Sequence, residues 1–367
     1  MIEKKSSLAI LGDLVSFETT ASRKDQIEKA YNYIKMQLSF FPFTIEDSIK
    51  NGDHSVIWST KKAEEYDVIL CAHLDVVPAS SEELFTMKED GDVLVGRGVS
   101  DMKFAISAFI ESLKRLHEHN TLQDASLAIV ITADEERGGF NGIKYLVNEK
   151  NLRGKVVVLP DGGDNWKIVK EAKGAAWIKV RTTGRAAHAS KPWEGENAIR
   201  RLTTILSRVQ EKYPVLSQDV WSTTVNIGTV TGGTVPNQVP DAAEARLDIR
   251  YIANEPFDTI LPFFQELDPQ ADISTEIHKH AFHIDPSNAY IALWERLLRK
   301  HQLVKDDESV FIQEEGSADH HYFSEHGIPV ILSKPTGGFI HTDHERMDKK
   351  AYFTFIDILT EFIEQSI

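Results

Sequence analysis

Several acids and histidines of this chain stand where metal-assisted chemistry would need them. His73 in AHLDVVP, the neighbours Glu135 and Glu136 in TADEER, and Asp161 in PDGGDN each follow a strand-like apolar run. In layered α/β proteins ligands bind beyond the carboxyl ends of the strands, so these side chains point towards one site. Strand alternation turns His73 and Asp75 to the same side, which suits a histidine ligand oriented by a carboxylate. Two adjacent acids allow a division of labour. One can bind a cation while the other, left unligated, takes a proton from activated water. Asp101, in VLVGRGVSDMKFAI, precedes a helix whose apolar face is Ala105, Phe109, Leu113 and Leu116. An aspartate there ordinarily caps backbone N–H groups. The other acid and histidine clusters favour a different role, a carboxylate bridging two divalent metal ions. In GGFIHTDHERMD, His341 and His344 compete for a ligand position, and Asp164 has a stronger claim to a turn than Asp161. The histidines of HKHAFH read as a solvated face.

The elements that must carry these residues alternate. Residues 22–40 form an amphipathic helix, with Ser22 and Asp25 spaced as a capping box. SVIWS and DVILCA are strands, and the unbroken apolar run SLAIVIT has the pattern of a central strand covered on both faces. A helix from Asn141 and the strand KVVVL follow, so the first part is α/β with a layered sheet. From about Lys173 the pattern becomes βαββαβ, the order of a small sandwich with helices on one face. Residues 173–284 therefore form a second domain inserted into a discontinuous first domain, 1–172 and 285–367. A helix over 287–301 and a strand at Val330–Leu332 return to the first domain.

The 367-residue length suits two domains. The formal net charge of −15 argues against nucleic acid or an anionic membrane as partner. A single cysteine rules out an intrachain disulfide, and the N-terminal stretch lacks the pattern of a cleaved leader. No apolar run approaches the ~20 residues of a spanning helix. A cytoplasmic protein is expected. GRGVSD lacks the third glycine of a dinucleotide fingerprint, and neither a phosphate loop nor a GxSxG elbow occurs.

AHLDVVP, GRGVSDMKFA, TADEERGGFNG and GRAAHASKPWEGENAI, in that order, resemble the co-catalytic zinc hydrolases. That family contains aminoacylase, acetylornithine deacetylase, succinyl-diaminopimelate desuccinylase, carboxypeptidase of the G type, peptidase T and carnosinase. The resemblance implies a catalytic domain with a mixed, mostly parallel sheet flanked by helices, interrupted by a ferredoxin-like lid that mediates homodimerisation. It implies that His73, Asp101, Glu136, Asp161 and His341 hold two divalent metals, with Asp101 bridging. His341 is preferred to His344 because Glu345 follows it at the family's spacing of four. Asp75 would orient His73, and Glu135 would be the general base for a metal-bridging hydroxide. His188 would reach the partner's active site and polarise the scissile carbonyl. Asn237 and Arg250 would bind a substrate carboxylate, and Gly316 and Ser317 match the family's Gly-Thr substrate loop with serine in place of threonine. Three carboxylates against two dications leave the site near neutral or slightly positive. Histidine with carboxylate suits Zn²⁺, with Co²⁺ or Mn²⁺ compatible.

The aspartate at position 161, in PDGG, resembles the peptidase T type, where deacylases and carboxypeptidases carry glutamate. An aminopeptidase or dipeptidase acting on small peptides is therefore expected. The alternatives are an N-acyl-amino-acid deacylase and, from a different class, a non-catalytic metal- or peptide-binding relative.

Overall fold

The computed structural model describes residues 6–123, 125–215, 217 and 220–367. The first five residues, part of the stretch read for a leader, lie outside the described ones. The chain divides into two compact units. One comprises Met1–Lys170, Ile284–Gln313 and Ala318–Ile367, the other Glu171–His283 and Glu314–Ser317.

The first unit is built on a six-stranded sheet in the order 44–50, 53–59, 127–132, 68–73, 157–158, 330–331. The last four strands run parallel, and the first two form an antiparallel hairpin at one edge. Val68–His73 and Leu127–Thr132 are buried along their whole length, as their unbroken apolar runs require. Thr44–Lys50 is an edge strand that the sequence pattern had not revealed; its alternation of exposed and half-buried residues is too weak a signal. The helix Lys103–Glu118 buries Ala105, Phe109, Leu113 and Leu116 and packs on Lys349–Ser366, with Phe104 edge-on to Phe355 at 5.5 Å. Its N-cap is Met102 and carries no side-chain cap, so Asp101 is not spent on capping. The expected capping box at Ser22 is absent. That helix starts at Lys24, its N-cap Arg23 lies outside the extended conformation, and the Ser22 hydroxyl instead meets that of Thr20 at 3.5 Å.

The second unit is βαββαβ. Its antiparallel sheet has the order 224–232, 242–251, 174–183, 272–279. Leu202, Ile205 and Val209 of helix Ala198–Lys212 share one core with Ile260 and Phe264 of helix Phe257–Leu267 and with Ile178, Val180, Leu247 and Ile249 of the strands. The strongly one-sided apolar patterns of both helices put them on one face of the sheet. Glu314–Ser317 falls with this unit rather than with the first. Lys173 explains why: its N–H donates to the Glu314 carbonyl at 3.2 Å, and its buried ammonium meets Glu315 at 2.7 Å. His278 is not on a solvated face. It is half-buried, hydrogen-bonded to the Tyr251 hydroxyl at 2.8 Å and packed against Phe257.

Candidate metal centre

His73 ends the buried strand Val68–His73, and its imidazole is almost fully enclosed. Nε2 lies 3.1 Å from Asp101 Oδ1 and 4.0 Å from Asp161 Oδ1. Nδ1 meets the main-chain carbonyl of Asp75 at 2.9 Å, whereas the Asp75 carboxylate is 3.6 Å away. That carboxylate accepts instead from the N–H groups of Glu135 at 3.3 Å and Glu136 at 3.1 Å. Asp75 thus fixes His73 chiefly through its backbone and fixes the two acids through its side chain.

Asp101 presents one oxygen to each histidine. Its Oδ1 faces His73, and its Oδ2 lies 3.2 Å from His341 Nε2. Glu136 Oε2 is 3.1 Å from the same His341 nitrogen. Two groups of potential ligands result, His73 with Asp101 and Asp161, and Asp101 with Glu136 and His341. Within each group the ligand atoms lie within 4.8 Å of one another, and Asp101 belongs to both. Histidine nitrogen and carboxylate oxygen are the donors a divalent cation takes, so the residues fit a two-cation centre. His344 belongs to neither group; it is exposed, and its N–H donates to the Thr342 hydroxyl.

Electrostatics differ sharply among these acids. Burial pushes Asp101 upward, but hydrogen bonds from His341 and His73 outweigh it and hold the carboxyl well below the usual range. Asp161 is raised to about 7 by burial and by the charge of Asp101. Burial and the Asp161 charge also raise Glu135 well above an ordinary glutamate. His341 is raised to about 10 by its hydrogen bonds to Asp101 and Glu136. Hydrogen bonds to Asp101 and Asp75 also raise His73 against its burial, and crowded carboxylates beside two imidazoles shifted upward are the titration pattern of a site built for positive charge.

The backbone around the ligands is tightly specified. The turn after Leu127–Thr132 is closed by Asp134, whose Oδ2 accepts from Asn141 N at 2.8 Å and Gly142 N at 3.0 Å. A Cβ on Gly142 would lie 2.1 Å from the other Asp134 oxygen. In PDGG, Gly163 has φ +72, and a Cβ there would lie 2.6 Å from the Leu332 carbonyl. His341 and Phe339 both take left-handed backbone, with φ 61 and 56, a conformation that non-glycine residues keep only where the surroundings impose it.

Sequence reasoning missed two charged groups here. Lys334 is 3% exposed; it pairs with Asp164 at 3.0 Å and places its charge near Asp161 and Asp101. Arg97 is 3% exposed and pairs with Glu345 at 2.9 Å. Position in a glycine-rich turn was the one available signal for Arg97; Lys334 had none beyond its nearness to His341.

The other five expected site residues belong to the second unit. His188 is exposed, with Nδ1 2.7 Å from the Ser190 hydroxyl. Asn237 adjoins it, accepting the Ala189 N–H at 3.0 Å through its main-chain carbonyl. Arg250 pairs with Asp248 at 2.8 Å on the strand Ala242–Tyr251. Gly316 is exposed with open space around its Cα, and Ser317 is half-buried beside it.

Residues 69–365 match the family described as Peptidase family M20/M25/M40. The chain belongs to that family and is a hydrolase of amide bonds. It is 24% identical to the probable succinyl-diaminopimelate desuccinylase of Staphylococcus aureus (strain MRSA252), over 98% of this chain and 97% of the relative. The fold matches a tripeptidase from Staphylococcus aureus with TM-score 0.78 at 22% identity, covering 98% of this chain and 97% of that one. It also matches aminopeptidase PepT from Bacillus cereus with TM-score 0.75 at 19% identity, covering 98% of each.

Proposed function

We propose that this protein is an aminopeptidase or dipeptidase that hydrolyses small peptides at a centre of two divalent cations. The observation that carries the reading is Asp101, which turns one oxygen to His73 and the other to His341. His73 and Asp161 would hold one cation with Asp101, and Glu136 and His341 the other, zinc being the metal their donor types suit. When bound, the cations supply a lowered pKa for the attacking water and polarise the scissile carbonyl. Glu135 takes the proton from that water and returns it to the leaving amine. Burial and the Asp161 charge raise its pKa above that of an ordinary glutamate, which favours taking up that proton. Asp75 holds Glu135 and Glu136 through their own N–H groups, so base and ligand share one anchor.

His188 completes the site from the partner of a homodimer formed through the second unit; its exposed position supports this. Asn237 and Arg250 would bind the substrate carboxylate, with Gly316 and Ser317 lining the substrate loop. No helix among the described residues is long and apolar enough to cross a membrane, which is compatible with the cytoplasmic setting we favour.

A deacylase is the second reading, supported by the likeness along the whole chain to a probable desuccinylase. Metal analysis of the purified protein combined with a substrate panel tests both. Two equivalents of metal and turnover of di- and tripeptides, abolished by a chelator and restored by Zn²⁺, Co²⁺ or Mn²⁺, are expected. Activity confined to N-acetyl or N-succinyl amino acids would replace the first reading with the second.

A further inference from the structure

Glu345 lies four residues beyond His341, is 2% exposed, and receives an unusual number of donors. Its Oε1 accepts from the N–H groups of Ser100 at 2.9 Å, Asp101 at 3.0 Å and Gly98 at 3.0 Å. Its Oε2 accepts from Gly98 N at 2.9 Å and from Arg97 Nη1 at 2.9 Å. The same Arg97 guanidinium donates to the carbonyls of Thr342 at 3.0 Å and Pro78 at 3.3 Å. One buried ion pair therefore grips the peptide N–H of Asp101, the residue after His341, and the loop three residues beyond Asp75.

Converging backbone N–H groups form a concavity that commonly binds an external anion. Here the occupant is the chain's own carboxylate, delivered by the segment that carries His341. Gly98 makes the concavity possible: its φ is +88, and a Cβ would lie 2.8 Å from Lys103 Cδ. A simple fold brace needs one or two such bonds. This one reaches the main chain of Asp101 and the loop of His341 together, two residues that must be held in fixed relation if they share a cation.

We propose that Glu345 and Arg97 are positioning residues that set the affinity of the metal centre by locking the Asp101 turn to the His341 loop. The inference rests on the reading of Asp101 and His341 as ligands. Glutamine at 345 keeps the shape but replaces one acceptor with an amide that faces N–H donors. It cannot satisfy both the Oε1 donors and Arg97.

The test uses the full chain, stripped of metal and titrated with Co²⁺ by calorimetry and absorption. Wild type should bind two equivalents. Glu345→Gln should keep its circular dichroism and cooperative unfolding, bind Co²⁺ about 10–100-fold more weakly, and lose kcat with KM unchanged. Arg97→Lys keeps the charge but loses the planar fork whose two Nη atoms reach Glu345, Thr342 and Pro78, so it should shift affinity in the same direction by a smaller factor. If Glu345→Gln does not fold, Arg97→Lys decides. Co²⁺ affinity within twofold of wild type in a folded variant overturns the proposal, as does failure of both variants to fold, which would make the pair a brace. A wild type that binds no Co²⁺ would instead overturn the reading of the site itself.

Discussion

Glu135 and Glu136 are neighbours on one turn, anchored by one carboxylate, yet they face different surroundings. Glu136 lies 3.1 Å from His341, whereas Glu135 is dominated by burial and by the charge of Asp161. In the function we propose, these different surroundings would give two identical side chains different chemistry, one a ligand and the other a proton carrier. Glu135→Gln should therefore keep its metal content while kcat falls by about 10³-fold. Metal analysis beside steady-state turnover measures both. A rate near wild type would remove Glu135 as the base, and lost metal would make it a ligand instead.

At the scale of elements, the Glu135–Asn141 turn depends on the edge hairpin of the sheet. Asp53, the first residue of strand Asp53–Ser59, is buried and accepts from Lys24 at 2.6 Å, Arg137 at 2.5 Å and Asn141 Nδ2 at 2.8 Å. Burial alone would raise its carboxyl, but those donors win and hold it below the ordinary 3.8. A depressed folded-state pKa contributes stability above the unfolded value and loses it as pH falls through the folded one. Asp53→Asn should then cost about 1–2 kcal/mol at pH 7, allowing for the half-exposed Lys24 and Arg137. The difference should shrink below about pH 4, near the ordinary aspartate pKa. Urea unfolding of both proteins at pH 7 and pH 3 measures this, and an equal difference at the two values would show that Asp53 is not the titrating clamp.

At the scale of the whole molecule, His188 would tie the proposed site to a second subunit. His188→Ala should keep fold and metal and lower kcat at least about 10²-fold, the scale of a lost transition-state donor. Mixing it with Glu135→Gln under exchange should restore roughly a quarter of wild-type activity, because half the dimers would be mixed and each would hold one intact site. No recovery on mixing would dismiss the contribution from a partner.

Strand ends, the alternation at His73 and Asp75, the helix after Asp101 and the βαββαβ order were all legible in the chain, because apolar periodicity and strand length are local properties. His73, Asp101, Glu136 and Asp161 each stand at a boundary that the pattern marks, whereas their reading as ligands, and the choice of His341 over His344, rested on the family resemblance and on Glu345 at its spacing of four. What Asp75 grips, where Glu345 sends its carboxylate, and that Arg97 and Lys334 are buried charges could not be read there. Those facts are set by segments up to 248 residues apart meeting in space, as Arg97 and Glu345 do. A carboxylate's role follows from the donors that surround it, and only the folded sheet and its loops decide which donors those are.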